Sequence, residues 1–273
     1  MNNTILTFGS ILLYSVCSIL LFLHLNQAGS TDSSNKTVLS KRAIVLIGFS
    51  GLLLHSLVLY NSMFSDVGIN FGFYNAISLV SAFLVLFTLT ATWRYPVEIL
   101  TIILLPITII AIALEYFGTS SHLLPAESSI ALFFHVSTSI IAYSLLALAA
   151  LQAILLSIQN KFLHAHQPGG LIKLLPPLKN METLLFEVIF AGFIALTISL
   201  MSGLLFLDNM FAQQLAHKTV LSILAWFVFL TLLIGRWQMG WRGRTAIRWT
   251  LTGFVSLMLA YFGSKFVLEI LLT

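Results

Sequence analysis

Eight long apolar runs separated by short polar connectors are the feature of this sequence that most restricts its fold. The runs cover residues 4–25, 43–64, 73–92, 99–117, 130–158, 184–207, 219–234 and 250–272. A helix needs about 20 apolar residues to cross the hydrocarbon core of a bilayer. Because hydrocarbon offers no partner to an open strand edge, runs of this kind must be helical. We therefore predict an all-α polytopic membrane bundle of eight transmembrane helices, forming one integral membrane domain over residues 1–273.

The composition excludes the soluble classes of protein. Hydrophobic residues make up 59% of the chain and charged residues 8%, whereas about a quarter of the residues in a soluble domain are charged. The net charge of +4 does not indicate nucleic-acid binding, because basic cytoplasmic loops are usual in membrane proteins. The one cysteine, Cys17, forms no CxxC or CxxCH motif, so the chain is neither a dithiol reductant nor a c-type cytochrome.

The distribution of cationic residues predicts the orientation in the membrane. Of the 13 lysines and arginines, all but Lys218 and Lys265 fall in the connectors after spans one, three, five and seven. Since lysine- and arginine-rich loops stay in the cytoplasm, both termini are expected to face outward, to the periplasm.

Histidines near the outer face are the candidate functional residues. His135 stands near the start of span five and His217 immediately before span seven. Both spans start outside, so the two histidines are expected in the same outer layer. His55 lies in the outer half of span two. Polar side chains inside spans are costly to keep and therefore mark candidate sites.

A stripe of small residues predicts the direction of His135. Residues on the same face of span five are Ser139, Ala142, Ala149 and Ala153. Transmembrane helices pack closely along such stripes, so His135 is expected to face the bundle and not the lipid. A structural histidine that hydrogen bonds to a neighbouring helix and a metal ligand both satisfy this pattern.

Lys218 breaks the charge pattern and lies in the first turn of a helix, where the helix dipole disfavours a cation. An anion near the outer surface would compensate, either a lipid headgroup or a porphyrin propionate beside His217. Neutral imidazole is a good iron ligand, and paired axial histidines from two helices hold haem in many proteins.

Four segments carry a resemblance to a known family. They are FFHVSTSIIAYSLLALAALQAILLSIQ, LPPLKNMETLLFE, LAHKTVLSILAWFVFLTLLIGRWQMGWRGRTAIRW and LAYFGSKFVLE. The chain resembles the YpjD-type inner-membrane proteins of the cytochrome c assembly (CcsA/CcmC-like) superfamily, over about residues 40–270. The resemblance implies a bacterial inner-membrane protein that handles haem at the periplasmic face. His135 matches the outer histidine that opens the corresponding helix, His55 matches a histidine in an early helix, and 240–243 matches a cytoplasmic loop.

Two departures from the superfamily pattern accompany the resemblance. The outer loop Asp208–Lys218 lacks the tryptophan-rich segment, and Gly235 stands where a histidine is expected before the terminal arginine of span seven. His217 belongs instead to the HKT signature of the YpjD-like branch.

We draw two hypotheses from these observations. The first is a haem-binding carrier, not an enzyme, that acts in cytochrome c biogenesis. In this hypothesis His135 and His217 are the axial ligands of a non-covalent haem b, Lys218 pairs with a propionate, and His55 contributes to the site. Its partners are the lipid bilayer, haem and a membrane protein of cytochrome c maturation. The alternative is a non-haem accessory subunit of a membrane transporter, such as a divalent-metal exporter.

Overall fold

The computed structural model describes residues 3–28, 39–65, 68–118, 123–125, 130–164, 175–206 and 216–263. Its helices are α1 (Asn3–Ala28), α2 (Lys41–Met63), α3 (Phe73–Arg94), α4 (Glu98–Phe117), α5 (Ile130–His164), α6 (Leu178–Phe206), α7 (Ala216–Met239) and α8 (Gly243–Met258). A π-helical turn, Leu259–Gly263, continues α8. The prediction of an all-α polytopic membrane protein is confirmed.

Seven of the described helices, α1 to α7, are long and apolar enough to cross a membrane. Helix α8 has 16 residues, and the predicted eighth span, 250–272, runs on past Gly263 into residues outside the described part. The eighth crossing and the outward-facing termini therefore stay predictions.

The chain forms two compact units, of which the first comprises Met1–Ala126 and Pro168–Pro176. Within it α1 packs against α2 and α4, and α3 also packs against α2 and α4. Two glycines of α2 allow close approach of the neighbouring helices. An added Cβ would lie 2.8 Å from Leu89 at Gly48 and 2.9 Å from Tyr14 at Gly51.

A small antiparallel sheet, which the sequence did not predict, lies at one end of this first unit. Strand β1 (Phe64–Ser65) follows α2 directly, β2 (Gly68–Asn70) precedes α3, and β3 (Leu123–Pro125) follows α4. The strand order is β1-β2-β3, with Ile69 facing Phe64 on one side and Leu124 on the other.

The second unit comprises Glu127–Gln167 and Pro177–Thr273. Helix α5 packs against α6 and α8, and α7 packs against the same two helices. The small residues Ala142, Ala149 and Ala153 are all buried, so the stripe on α5 does face its neighbours, as predicted. The prediction of one domain over residues 1–273 is not tested, since each unit is described by itself.

Candidate functional site

His135 lies in the second turn of α5 and is held by α6. Its Nδ1 is 2.9 Å from the backbone oxygen of Ser199 and 3.1 Å from Oγ of Ser202. A carbonyl oxygen can only accept a hydrogen bond, so in the neutral ring Nδ1 carries the hydrogen. Nε2 then holds the lone pair. Among the described residues this nitrogen has no hydrogen-bond partner.

Serine hydroxyls fix the backbone and side chains around this ring. Ser202 Oγ donates to the Ser199 carbonyl at 2.8 Å, and Ser139 Oγ donates to the backbone oxygen of His135 at 2.7 Å. The hydroxyls of Ser139 and Ser199 are 2.6 Å apart and join α5 to α6. Small side chains at these positions let the two backbones approach, which is how transmembrane helices bring polar groups together.

This arrangement suits a metal-ligating histidine. Metal-bound imidazoles usually donate their other ring N–H to a carbonyl or carboxylate, which fixes the tautomer and the ring orientation. His135 is half-buried, so part of this residue remains accessible outside the helix pair. The donor set therefore fits one axial position of a haem iron.

An aromatic cluster follows His135 along α5, and the sequence analysis did not identify it. The ring of Tyr143 lies 5.6 Å from Phe254, 5.9 Å from Tyr261 and 5.2 Å from Phe262. The last two rings belong to the π-helical turn after α8, and π-helical turns occur often at functional sites. The adjacent Tyr261-Phe262 pair is the one signal in the sequence that pointed to this cluster.

The other proposed ligands in the second unit are described only in part. Helix α7 begins at Ala216, so His217 and Lys218 lie in its first turn. The side chain of His217 lies outside the described residues, and Lys218 is half-buried. Helix α7 is joined to α6 by Trp226, whose Nε1 donates to Thr197 Oγ1 at 2.9 Å. Whether His135 and His217 form a pair is not tested.

His55 belongs to the first unit and is fully buried. Its Nε2 lies 2.9 Å from Ser78 Oγ and its Nδ1 lies 3.3 Å from the hydroxyl of Tyr14. Both ring nitrogens therefore have protein partners, and a role in binding a cofactor would require His55 to give one up. Its assignment as a cofactor-binding residue stays untested, and the hydrogen bonds do not favour it.

The turn between α7 and α8 explains why position 235 holds a glycine and not a residue with a side chain. The backbone N–H of Trp241 donates to the Gly235 carbonyl at 3.1 Å, and Arg236 Nη1 donates to the Trp241 carbonyl at 3.3 Å. The turn requires positive φ at Gly240 (+66°) and Gly243 (+53°). The Trp241 indole then packs directly over Gly235, where a Cβ would meet its ring atoms. The place of the expected histidine side chain is thus filled by tryptophan.

Together the fold and the site define a polytopic, all-α membrane protein in which an imidazole on α5 is hydrogen-bonded to α6. Comparison with known sequences agrees with this class. The profile of the "Cytochrome C assembly protein" family matches residues 43–272. The chain belongs to this family.

Individual relatives support the same assignment. The chain is 31% identical over 238 residues to the inner membrane protein YpjD of Escherichia coli K12, covering 85% of this chain and 88% of the relative. It is 26% identical over 205 residues to the cytochrome c biogenesis protein CcsA of Prochlorococcus marinus MIT 9215, covering 64% of this chain and 65% of the relative. Identity to CcsA of Chlamydomonas reinhardtii is 30% over 152 residues, covering 55% and 42%.

Proposed function

We propose that the protein is a haem-handling membrane carrier that acts in cytochrome c biogenesis. The observation that carries this proposal is the geometry of His135, whose Nδ1–H is held by the Ser199 carbonyl at 2.9 Å while Nε2 keeps a lone pair. Family membership and the similarity to CcsA proteins support the same function. Haem is the cargo, and its porphyrin-bound iron supplies an open coordination position to nitrogen ligands.

The residues of the chain bind and orient the cargo, and we assign them no bond-breaking chemistry. His135 Nε2 takes one axial position, and the α6 serines hold its ring in the required tautomer. His217 is proposed as the second axial ligand and Lys218 as the partner of a propionate, because both lie in the first turn of α7. A cation there is unfavourable beside the positive end of the helix dipole, which a neighbouring carboxylate offsets.

The proposed location is a bacterial inner membrane with both termini in the periplasm. Helices α1 to α7 qualify as membrane spans, and the related YpjD is named an inner membrane protein. The cationic connectors favour a cytoplasmic position for the ends of α2, α3 and α4 that carry Lys41, Arg94 and Glu98. His135 and His217 then belong to the periplasmic side. We further propose a membrane partner that receives the haem.

The testing experiment is an absorption spectrum of the protein purified in mild detergent from haem-replete cells. We expect a Soret band, with sharp α and β bands after reduction. Replacement of His135 by alanine should remove most of the Soret absorbance per folded protein. His164→Ala is the matched control, because this residue ends the same helix α5, and its spectrum should be unchanged.

The alternative function is a non-haem accessory subunit of a membrane transporter. The observation that favours it is the packing of Trp241 over Gly235, which fills a position where the superfamily is expected to carry a histidine. A featureless visible spectrum from fully folded wild-type protein, with a second membrane protein co-purifying, would replace the haem proposal by this one.

A further inference from the structure

A second polar site lies inside the first unit, around Glu115 near the end of α4. Only 8% of Glu115 is exposed. Its Oε1 accepts a hydrogen bond from Ser62 Oγ at 2.5 Å. The other carboxyl oxygen, Oε2, is buried and has no hydrogen-bond partner among the described residues. The haem proposal gives this carboxyl no role.

The burial of Glu115 indicates that it carries a proton at rest. A buried ionised carboxylate with one unpaired oxygen is far more costly than the neutral acid. Ionisable groups inside membrane bundles that persist under this cost generally serve a function with a specific partner. By contrast Glu98, at the other end of α4, has Lys41 Nζ at 2.6 Å.

Ser78 of α3 is a neighbour of both His55 and Glu115. Its Oγ lies 2.9 Å from Nε2 of His55, and the same side chain lies beside the Glu115 carboxyl without a hydrogen bond to Oε2. On the other side of the ring, Nδ1 is 3.3 Å from the hydroxyl of Tyr14. A hydroxyl both donates and accepts, so both neutral tautomers of His55 are satisfied. A ring with this freedom can take a proton on one nitrogen without losing its bond on the other.

We propose that Glu115, Ser78 and His55 form an intramembrane proton-exchange site in which one proton moves between the carboxyl group and the imidazole. The carboxyl O–H bond breaks as a bond forms to Ser78 Oγ, and Ser78 gives its own hydrogen to Nε2 of His55. The products are a carboxylate that accepts from Ser62 and Ser78, and an imidazolium that donates to Ser78 and Tyr14. The exchange is internal, so the bundle gains no net charge and needs no second reactant.

The surroundings contain no competing charge among the described residues. The titratable neighbours are Tyr14 and Cys17 from α1 and Tyr74 from α3, while Tyr116 of α4 turns away to Thr4. The other described charged side chains of α1–α4 are Lys41, Arg42, Arg94 and Glu98. All four lie in the turn at the opposite end of their helix, so the described titratable neighbours of Glu115 and His55 are neutral side chains.

Polar groups lead from Glu115 to the end of the unit that carries the sheet. Asn75 Nδ2 donates to the backbone oxygens of Ser62 at 3.4 Å and Asn70 at 3.1 Å. His55 and Ser62 are seven residues apart on α2, so the site extends about 10 Å along the helix axis. The site is thus connected to the predicted periplasmic surface on one side.

The experiment is infrared difference spectroscopy of the purified protein in lipid vesicles at neutral pH. We expect a protonated carboxyl C=O band that is lost in Glu115→Gln. Glu98→Gln is the matched control, because it removes a carboxylate from the same helix, and it should leave that band intact. If Glu115→Gln removes only carboxylate absorbance, the carboxyl is ionised and the proposal is overturned.

The coupling to His55 is tested on the wild-type residue by ¹⁵N NMR of labelled histidine. We expect signals from both neutral tautomers, and an imidazolium fraction that equals the lost fraction of the carboxyl band and does not change with pH, because the exchange takes up no proton. Ser78→Ala should abolish the imidazolium signal and restore the full carboxyl band. One fixed His55 tautomer with no response to Glu115→Gln would show a static hydrogen bond and would overturn the proposal. Neither result depends on haem binding.

Discussion

The chemical type of the hydrogen-bond partner distinguishes His135 from His55. His135 faces a carbonyl, which fixes one tautomer, whereas His55 lies between two hydroxyls, which fix none. The small-residue stripe was sufficient to predict that His135 faces a neighbouring helix. It was insufficient to identify the Ser199 carbonyl as the partner, because this contact joins residues 64 positions apart.

Ser202→Ala tests how the α6 serines orient the ligand. The change removes the 3.1 Å contact to Nδ1 and leaves the Ser199 carbonyl in place. We expect the variant to bind haem more weakly than the wild type. The loss in affinity should be smaller than the about 10- to 100-fold loss that follows complete removal of an outer-shell partner. The measurement is the Soret absorbance per protein after washing with a haem scavenger.

The control for Ser202→Ala is Ser144→Ala. Ser144 is buried on α5 and donates only to Ile140 of its own helix, at 2.8 Å. Equal haem loss in the two variants would show that the effect comes from general loosening of the helix pair and not from the orientation of His135.

At the scale of elements, the long helices could be predicted and the short elements could not. Hydrophobic length marks a membrane helix strongly, whereas strands of two or three residues carry no periodic pattern, so β1, β2 and β3 were missed. Helix α8 begins at Gly243, before the predicted span at residue 250. Its first turns carry exposed Arg244 and Arg248 beside buried Ala246 and Ile247. This amphipathic pattern contains no continuous apolar run, so apolar length alone does not predict the start of the helix.

Gly235→Ala tests the packing of the turn between α7 and α8. The new methyl group would meet the Trp241 ring, and overpacking of this kind costs about 1–3 kcal/mol. We expect a lower thermal midpoint in detergent. In a Trp241→Ala background the same change should cost little, because the obstructing ring is gone. An equal loss in both backgrounds would exclude Trp241 as the cause.

At the scale of the whole molecule, the distribution of charge predicts an orientation that helix geometry alone does not contain. The ends of α4 provide a direct test, since Tyr95 lies just before it and Phe117 ends it, and both are exposed. With the native Cys17 buried, a membrane-impermeant maleimide on spheroplasts should label Phe117→Cys and not Tyr95→Cys. Both should react after the membrane is permeabilised. Labelling of Tyr95→Cys alone would show that the orientation is the opposite of the predicted one.

The packing of α1 against α4 has a consequence for the order of events during biosynthesis. Helix α1 leaves the ribosome before α2, α3 and α4, so its neighbour α4 arrives only after α2 and α3 have entered the membrane. Its buried Thr7 and Ser10 meanwhile donate to the carbonyls of Asn3 and Thr7 on the same helix, so neither hydroxyl needs a later partner in lipid. Tyr14 differs, because its hydroxyl reaches His55 on α2. Helix α1 can therefore remain stable in the bilayer while it packs only against α2, and the packing of α4 completes the unit.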